Sequence, residues 1–225
     1  MIELQALRHK ILDIPALSIP EGHCMVIGPN GAGKSTLLEL CAGMQVPAGG
    51  TVSVSGTDPR RCTVGWVSEF TDRTVVFDRV FDEIASPLRF AHRPCGEIDT
   101  RVRETAALIG IGHLLAASTQ EISGGEKTLV ALATAVIASP PLLVLDDPDT
   151  HCDARTARHV QQVLGRLPIP HILQCTQDMD TAIGADTVLY MEKGRVVHAG
   201  TPQEVFSRLA SSCFYPECWR NGPCA

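Results

Sequence analysis

The glycine-rich run GPNGAGKS at positions 28–35 constrains this chain of 225 residues more than any other feature. It matches the pattern G-x-x-x-x-G-K-[ST], and it follows an apolar run at 24–27 that predicts a strand and precedes a stretch at 37–40 that predicts a helix. In that setting the glycines let backbone N–H groups surround a polyphosphate, the lysine reaches the outer phosphates and the serine hydroxyl ligates Mg²⁺. The predicted phosphate-binding residues are Gly28, Pro29, Asn30, Gly31, Ala32, Gly33, Lys34, Ser35 and Thr36.

Strands and helices alternate through the rest of the chain. The apolar runs at 142–145 and 171–175 predict strands, and the helical pattern at about 153–165 between them gives the strand-helix-strand order of a parallel sheet. The hydrophobic patterning at 187–191 and 195–197 predicts a hairpin around Gly194. Thr201, Pro202 and Glu204 then open a helix with a capping box. The core of the fold is therefore expected to be α/β.

Two further regions interrupt this core. Alternating residues at 51–55 and 63–67 predict short strands of a small β-rich region. From about residue 80 to 122 the pattern is helical, and Ile98, Val102, Ala106 and Ile109 recur along one helix face. The expected fold class is α/β, a P-loop core with a mixed, mainly parallel sheet, a small antiparallel β subdomain and an inserted α-helical subdomain.

The charge and the hydropathy of the chain argue against a nucleic-acid partner and against a membrane-spanning segment. The formal net charge is −6 and no basic run exceeds Arg60-Arg61, so the footprint of a nucleic-acid-binding protein is missing. The most apolar stretch, residues 129–145, is broken by Pro140-Pro141 and falls short of the roughly 20 apolar residues that span a bilayer. The start of the chain lacks a leader pattern, so we expect a reducing cytoplasm and free thiols for the nine cysteines.

The cysteines are concentrated at the end of the chain. Cys213, Cys218 and Cys224 predict a cysteine-rich tail over 213–225, after a domain that covers 1–212. Two interpretations stay open: a soft-metal site completed by a ligand from elsewhere, or a frayed terminus that carries thiols.

A pair of acids follows the apolar run at 142–145. Asp146 and Asp147 are expected at the carboxyl end of a sheet strand, where α/β proteins bind their ligands. Together with the phosphate loop, this position predicts Asp146 in the Mg²⁺ shell and Asp147 as the group that polarises an attacking water.

A second helix start carries the pattern of a phosphate site. Ser123 and Glu126 are spaced as a capping box, and the predicted helix runs from residue 127 to 138. The serine hydroxyl, the glycine amides and the helix dipole therefore converge on one point. The predicted residues of this second phosphate cradle are Ser123, Gly124, Gly125 and Glu126.

With these three elements the chain resembles the nucleotide-binding subunit of an ATP-binding cassette (ABC) transporter, over everything up to the tail. The resemblance implies that two cassettes, as a homodimer or a heterodimer, hold ATP between the phosphate loop of one and the signature segment ISGGE of the other. It further implies an integral-membrane partner and a place on the inner face of the membrane. By the family's order, Glu69 stands at the Q-loop, residues 148–153 at the D-loop and Gln177 at the switch-histidine position.

Within that family, the FDEIASPL segment and the EKGRV ending with Gly200-Thr201-Pro202 resemble importer ATPases of the energy-coupling-factor and cobalt or nickel type. Import of a small solute such as a metal ion or a vitamin is the implied function. Phe70, Phe77, Phe81 and Phe90 lie where the family receives its membrane subunit, and they predict either that contact or the subdomain's own core.

The departures from the family pattern are concentrated at the reaction centre. Asp147 replaces the usual glutamate and is one methylene shorter, Gln177 replaces the histidine, and Glu69 replaces the Q-loop glutamine. No Phe, Tyr or Trp precedes Trp66 to stack on adenine, and His9 is the ring nearest to that position in the sequence. The loss of one oriented catalytic group lowers the reaction rate about 10²- to 10³-fold. We therefore expect MgATP to bind well and to be hydrolysed slowly. The alternative is a regulatory cassette that binds ATP and dimerises with little turnover.

Overall fold

The structure, a computed structural model, describes residues 1–71, 74–150 and 152–220. Its strands are β1 Ile2–His9, β2 Leu12–Ile19, β3 Gly22–Ile27, β4 Gly49–Val54, β5 Val64–Val67, β6 Leu142–Asp146, β7 His171–Cys175, β8 Thr187–Glu192 and β9 Arg195–Gly200. Its α-helices are α1 Lys34–Cys41, α2 Val80–Phe90, α3 Cys95–Ile109, α4 Gly124–Val136, α5 Ala154–Leu164, α6 Met179–Ala182, α7 Pro202–Arg208 and α8 Glu217–Arg220.

The larger sheet has six strands in the order β5-β6-β7-β3-β8-β9. Strand β3 runs parallel to both β7 and β8, and the final hairpin adds β9 antiparallel to β8. This topology confirms the mixed, mainly parallel sheet. The assignment of residues 63–67 to the small β-rich region was wrong, because β5 is an edge strand of the larger sheet. A four-residue strand carries no sequence signal for which sheet it joins.

The smaller sheet is antiparallel, in the order β2-β1-β4. Its N-terminal hairpin pairs Ile2 with Ile19 and His9 with Leu12, and the sequence analysis did not predict it. The pairing of β1 with β4 shifts register between Gln5 and Arg8, and Ala6 there has a φ of 48°. This irregularity breaks the period-two alternation on which a strand prediction depends.

The described residues form two compact units. The first contains Met1–Cys62, Val144–Asp147 and the chain from Pro170 onward, and the second contains Thr63–Leu143 and Pro148–Ile169. In the second unit Ile98, Val102, Ala106 and Ile109 are all buried, which confirms the predicted helix face. No helix of the described residues is long and apolar enough to cross a membrane.

The phenylalanines near the helical region do not form its core. Phe70 is 43% exposed and Phe90 is 75% exposed. Phe77 and Phe81 are only partly buried. The interpretation of all four as core residues is therefore wrong.

The C-terminal segment packs against the first unit. Phe214, Tyr215 and Trp219 contact a buried cluster that includes Phe206, and the Trp219 ring meets the Phe206 ring edge-on at 5.7 Å between centroids. The Cys218 N–H donates to Asp180 Oδ1 at 3.2 Å. The frayed-terminus interpretation is therefore wrong for residues 213–220, since aromatic burial holds them in place. Cys224 lies outside the described residues, so the tail-metal interpretation and the boundary at residue 212 stay predictions.

Candidate functional site

The phosphate loop joins β3 to α1 through glycines in conformations that other residues rarely adopt. Gly28, Gly31 and Gly33 have φ values of 142°, 77° and 99°. A Cβ on Gly28 would lie 2.1 Å from the Met191 carbonyl oxygen, and one on Gly33 would lie 2.7 Å from Leu12 Cδ2. Gly28 must be glycine because its neighbour is backbone, whereas Gly33 is favoured by its positive φ, since the end of the Leu12 side chain can move.

The N-cap residue of helix α1 supplies no capping side chain. Its N-cap is Gly33, which has no side chain to accept a bond, and the first turn contains no acid. A helix start of this kind leaves N–H donors and the positive end of the helix dipole for an anion. The geometry suits the phosphates predicted from the sequence.

Lys34 is held inside the curl of this loop. Its side chain is buried, and Nζ donates to the Gly28 carbonyl at 2.8 Å and to the Pro29 carbonyl at 3.2 Å. The ammonium is thereby fixed beside the backbone amides, and the loop concentrates positive charge at the start of α1.

The turn between β8 and β9 braces the phosphate loop, a role that the sequence analysis missed. The Gly194 N–H donates to the Ala32 carbonyl at 3.0 Å, and the Gly194 carbonyl accepts from the Asp13 N–H at 3.0 Å. A Cβ on Gly194 would lie 1.8 Å from the Ile11 carbonyl oxygen. The glycine of the predicted hairpin turn was the available signal, but its partners are distant in sequence.

His9 lies at the end of β1, where its ring Nε2 is 2.7 Å from Gln45 Oε1. The neighbouring turn, Lys10 to Asp13, lines a cavity of about 320 Å³ together with Arg8 and His9. The only large apolar side chain exposed in that turn is Ile11, which is 52% exposed. This part of the first unit therefore offers an aliphatic side chain and an imidazole ring.

Ser35 and Asp146 meet at the carboxyl end of the sheet. The Ser35 hydroxyl donates to Asp146 Oδ1 at 3.1 Å, and this contact is exposed to solvent. Hydroxyl and carboxylate oxygens are ligands that Mg²⁺ accepts, and here they lie directly beside the phosphate loop. The two residues fit the predicted magnesium site.

Asp147 and Gln177 are also brought together. Gln177 Nε2 donates to Asp147 Oδ2 at 3.3 Å, a long hydrogen bond. Asp147 is only 9% exposed and its backbone is left-handed, with a φ of 45°. Its other oxygen, Oδ1, is buried and accepts no hydrogen bond from the described residues. A buried carboxylate oxygen of this kind is a strong acceptor for a water or a cation.

Cys175 adds a thiol to which the sequence analysis gave no role. It is fully buried at the end of β7, and its sulfur, an Asp146 oxygen and an Asp147 oxygen all lie within 4.8 Å of one another. Burial, followed by the charge of Asp147, raises the pKa of the Cys175 thiol, against the opposing charge of Lys34. The thiol is therefore protonated at neutral pH.

The second unit carries the other predicted site residues. Glu69 follows β5 and is partly buried. At the start of α4 the Glu126 N–H donates to Ser123 Oγ at 3.3 Å, and the Ser123 N–H donates to Glu126 Oε2 at 2.8 Å. The predicted capping box is confirmed, and the helix begins at Gly124 instead of residue 127. The Ser123 N–H and hydroxyl hold the pKa of Glu126 below its ordinary value.

Gly125 lets α4 approach α5 closely. A Cβ on Gly125 would lie 2.9 Å from Thr156 Cγ2. The Thr156 N–H donates at 2.7 Å to Asp153 Oδ1, the N-cap of α5. Ser123, Glu126, Asp153 and Thr156 line one cavity of about 650 Å³ within this unit. The start of α4 therefore opens onto a polar space large enough for part of a nucleotide.

Comparison with known proteins agrees with this geometry. Residues 12–150 match the ABC transporter family. The molybdate/tungstate import ATP-binding protein WtpC of Archaeoglobus fulgidus is 39% identical over 197 residues, which cover 82% of this chain and 80% of the relative. The nickel import ATP-binding protein NikO of Rhodobacter capsulatus is 34% identical over 234 residues, which cover 92% of each chain.

Other relatives are longer, and the chain spans 60% of the Fe(3+) ions import ATP-binding protein FbpC of Photorhabdus laumondii, at 32% identity over 89% of this chain. Among solved structures, cbiO1 from Clostridium perfringens, part of the ABC transporter complex cbiONQ, superposes with a TM-score of 0.82. It is 24% identical and the match covers 94% of this chain and 95% of that one. The fold, the glycine-rich loop and these relatives agree, and the chain belongs to the ABC transporter family as an ATP-binding cassette with ATPase chemistry.

Proposed function

We propose that this chain is the ATP-hydrolysing subunit of a transporter that imports a small solute, a metal ion or a vitamin. The observation that carries the proposal is the start of α1, without a capping side chain, next to the Ser35–Asp146 contact, because this pairing suits phosphates beside Mg²⁺. Relatives named for the import of molybdate or tungstate, of nickel and of Fe(3+) support import and favour an inorganic ion.

In this proposal the residues of the first unit divide the reaction between them. Lys34 and the loop amides would hold the phosphates, and Ser35 and Asp146 would hold Mg²⁺, which would supply positive charge to offset the charge that develops on the transferred group. Asp147 Oδ1 accepts a hydrogen bond from the attacking water, and Gln177 donates from its amide toward the outer phosphate.

Hydrolysis at this site is proposed to be slow. The Asp147 carboxylate stands roughly 1.5 Å further back than a glutamate would, which is enough to spoil the position of a water. Gln177 already donates to Asp147 Oδ2 and, unlike histidine, cannot become cationic. Glu69 would add negative charge near the phosphates if it takes the Q-loop role, which further disfavours the reaction.

The proposal includes two partners. A second cassette, identical or different, would receive Ser123, Gly124, Gly125 and Glu126 at its nucleotide, and an integral-membrane subunit would hold the pair at the inner face of the membrane. The polar cavity at the start of α4 supports the first of these contacts.

A second candidate function is a cassette that binds ATP as a gate and turns it over very little. The Gln177–Asp147 hydrogen bond favours this second function. In that bond the proposed base, Asp147, is occupied by the amide that would otherwise donate a hydrogen bond to the outer phosphate.

The test is the steady-state MgATP hydrolysis of the purified chain, with ATP binding measured in parallel and Lys34→Ala as background. The proposal expects a wild-type rate above Lys34→Ala and a faster rate in Asp147→Glu, since the longer side chain recovers the reach of the usual base. Tight ATP binding with a wild-type rate equal to Lys34→Ala, unchanged by Asp147→Glu, would favour the gate.

A further inference from the structure

The proposed reaction centre contains one metal-binding atom of a kind that Mg²⁺ does not use, the sulfur of Cys175. Besides Ser35 and Asp146, it includes Asp147 and the Cys175 thiol, and the ligand atoms of Asp146, Asp147 and Cys175 lie within 4.8 Å of one another. Within residues 1–71, 74–150 and 152–220, no other group of three or more His, Cys, Asp or Glu side chains is spaced to hold a metal ion.

The chemistry of this group differs from that of a magnesium site. Mg²⁺ takes oxygen ligands, whereas Zn²⁺ and similar cations bind thiolate sulfur together with carboxylate oxygen. The Mg²⁺ role predicted for Ser35 and Asp146 gives no use for the sulfur of Cys175. A buried thiol against two carboxylates instead matches the donor set of a thiophilic divalent cation.

A second observation points to the same ligand. Asp147 is about nine-tenths buried, and its Oδ1 accepts no hydrogen bond within the described chain. A buried carboxylate oxygen without a donor is stabilised when a cation binds it. The Ser35–Asp146 contact is exposed to solvent, whereas Cys175 is fully buried.

We propose that a thiophilic divalent cation of the Zn²⁺ class binds Asp146, Asp147 and Cys175 and inhibits the ATPase by competing with Mg²⁺. The inference rests on the proposed function, because Asp146 and Asp147 are its magnesium ligand and its base. As the cation binds, the S–H bond of Cys175 breaks and its proton goes to solvent, with no change of oxidation state. Hydrolysis stops because neither carboxylate remains available, and excess Mg²⁺ reverses the inhibition.

The first experiment measures Zn²⁺ inhibition of MgATP hydrolysis by the full chain at several Mg²⁺ concentrations. Wild type, Cys175→Ala and Cys24→Ala are compared, each against its own zinc-free rate. Cys24 is the matched control, because it is a buried cysteine in the same sheet, on β3, and it belongs to no such ligand group among the described residues. The loss of a ligand is expected to weaken inhibition about tenfold or more in Cys175→Ala, on the scale of 10- to 100-fold known for changes around metal sites. Cys24→Ala should match wild type.

The second experiment does not depend on hydrolysis. Co²⁺ added to the nucleotide-free chain should give a thiolate-to-cobalt charge-transfer absorption that Cys24→Ala keeps and Cys175→Ala loses. If Cys175→Ala fails to fold, Cys175→Val fills the same space without a ligand. A cobalt band that survives removal of the Cys175 sulfur, or equal zinc inhibition in all variants, would overturn the proposal. A chain that binds cobalt through Cys175 but hydrolyses no ATP would contradict the proposed function alone.

Discussion

Helices α1 and α4 both begin at a predicted phosphate site, and they are built in opposite ways. The start of α1 is a glycine in a left-handed conformation, with no capping side chain. The start of α4 is capped reciprocally by Ser123 and Glu126. A capped helix start satisfies its own N–H donors, whereas an uncapped one leaves them for a ligand. We infer that nucleotide stabilises α1 directly, and that α4 is stable without it.

The sharpest test of this difference is Lys34→Ala, because Lys34 supplies the charge at the uncapped end. We expect MgATP hydrolysis to fall by about 10²- to 10³-fold. Saturating MgATP should also raise the Tm of wild type more than that of the variant, since a ligand stabilises only the state that binds it. Steady-state kinetics and thermal melts with and without MgATP measure both effects. An equal Tm increase in both proteins would contradict the assignment of α1 as the phosphate site.

The glycines of the α1 loop predict the next largest effect. Gly28→Ala should destabilise the fold by about 3 kcal/mol, because the added Cβ meets the Met191 carbonyl at 2.1 Å and the backbone is left-handed. Gly31→Ala is the matched control: its φ is also positive, at 77°, but nothing lies within 4 Å of its Cβ. We expect only about 1 kcal/mol there. Urea unfolding compares the two, and equal losses would mean that the close approach at Gly28 is unimportant.

The capped start of α4 predicts a smaller loss of stability, together with a loss of ATPase activity that a matched control does not share. Ser123→Ala removes the acceptor of the Glu126 N–H and should lower the free energy of unfolding by about 1 kcal/mol. Thr201→Ala is its control, because Thr201 and Glu204 form the same box at α7, away from the predicted site. Both should lose similar stability in urea unfolding, whereas only Ser123→Ala is expected to lower ATPase activity. Loss of activity in both variants would assign the effect to folding.

The smallest expected effect is a pH dependence of stability that arises from Glu126 at the start of α4. Because the pKa of Glu126 is lowered in the folded chain by the Ser123 N–H and hydroxyl, the folded state favours the charged carboxylate. Its contribution to stability is therefore present at neutral pH and is lost as the pH falls through that lowered pKa. Glu126→Gln keeps the shape without the charge, so its stability should fall less steeply in acid than that of wild type. Urea midpoints across the acid range measure this, and identical curves would rule out a role for the charge.

The sequence predicted most elements because their signals are local. The glycine run, the two capping boxes and the period of Ile98, Val102 and Ala106 each act within a few residues along the chain. The N-terminal hairpin was missed because the irregularity at Ala6 interrupts its alternation. The packing of the C-terminal aromatic residues was missed because their partner Phe206 belongs to an element that ends before the tail begins.

The sequence alone therefore determined the glycine-rich loop, the capped helix and the class of fold, since hydrogen bonding and sterics within short segments specify them. Only the tertiary structure decided what surrounds Asp147. Parallel strands bring their carboxyl ends to one edge of a sheet, and so residues about thirty positions apart meet there. That edge brings Gln177 to Asp147 and joins Cys175 to both aspartates. No spacing along the chain encodes such a meeting, because it depends on the register between strands.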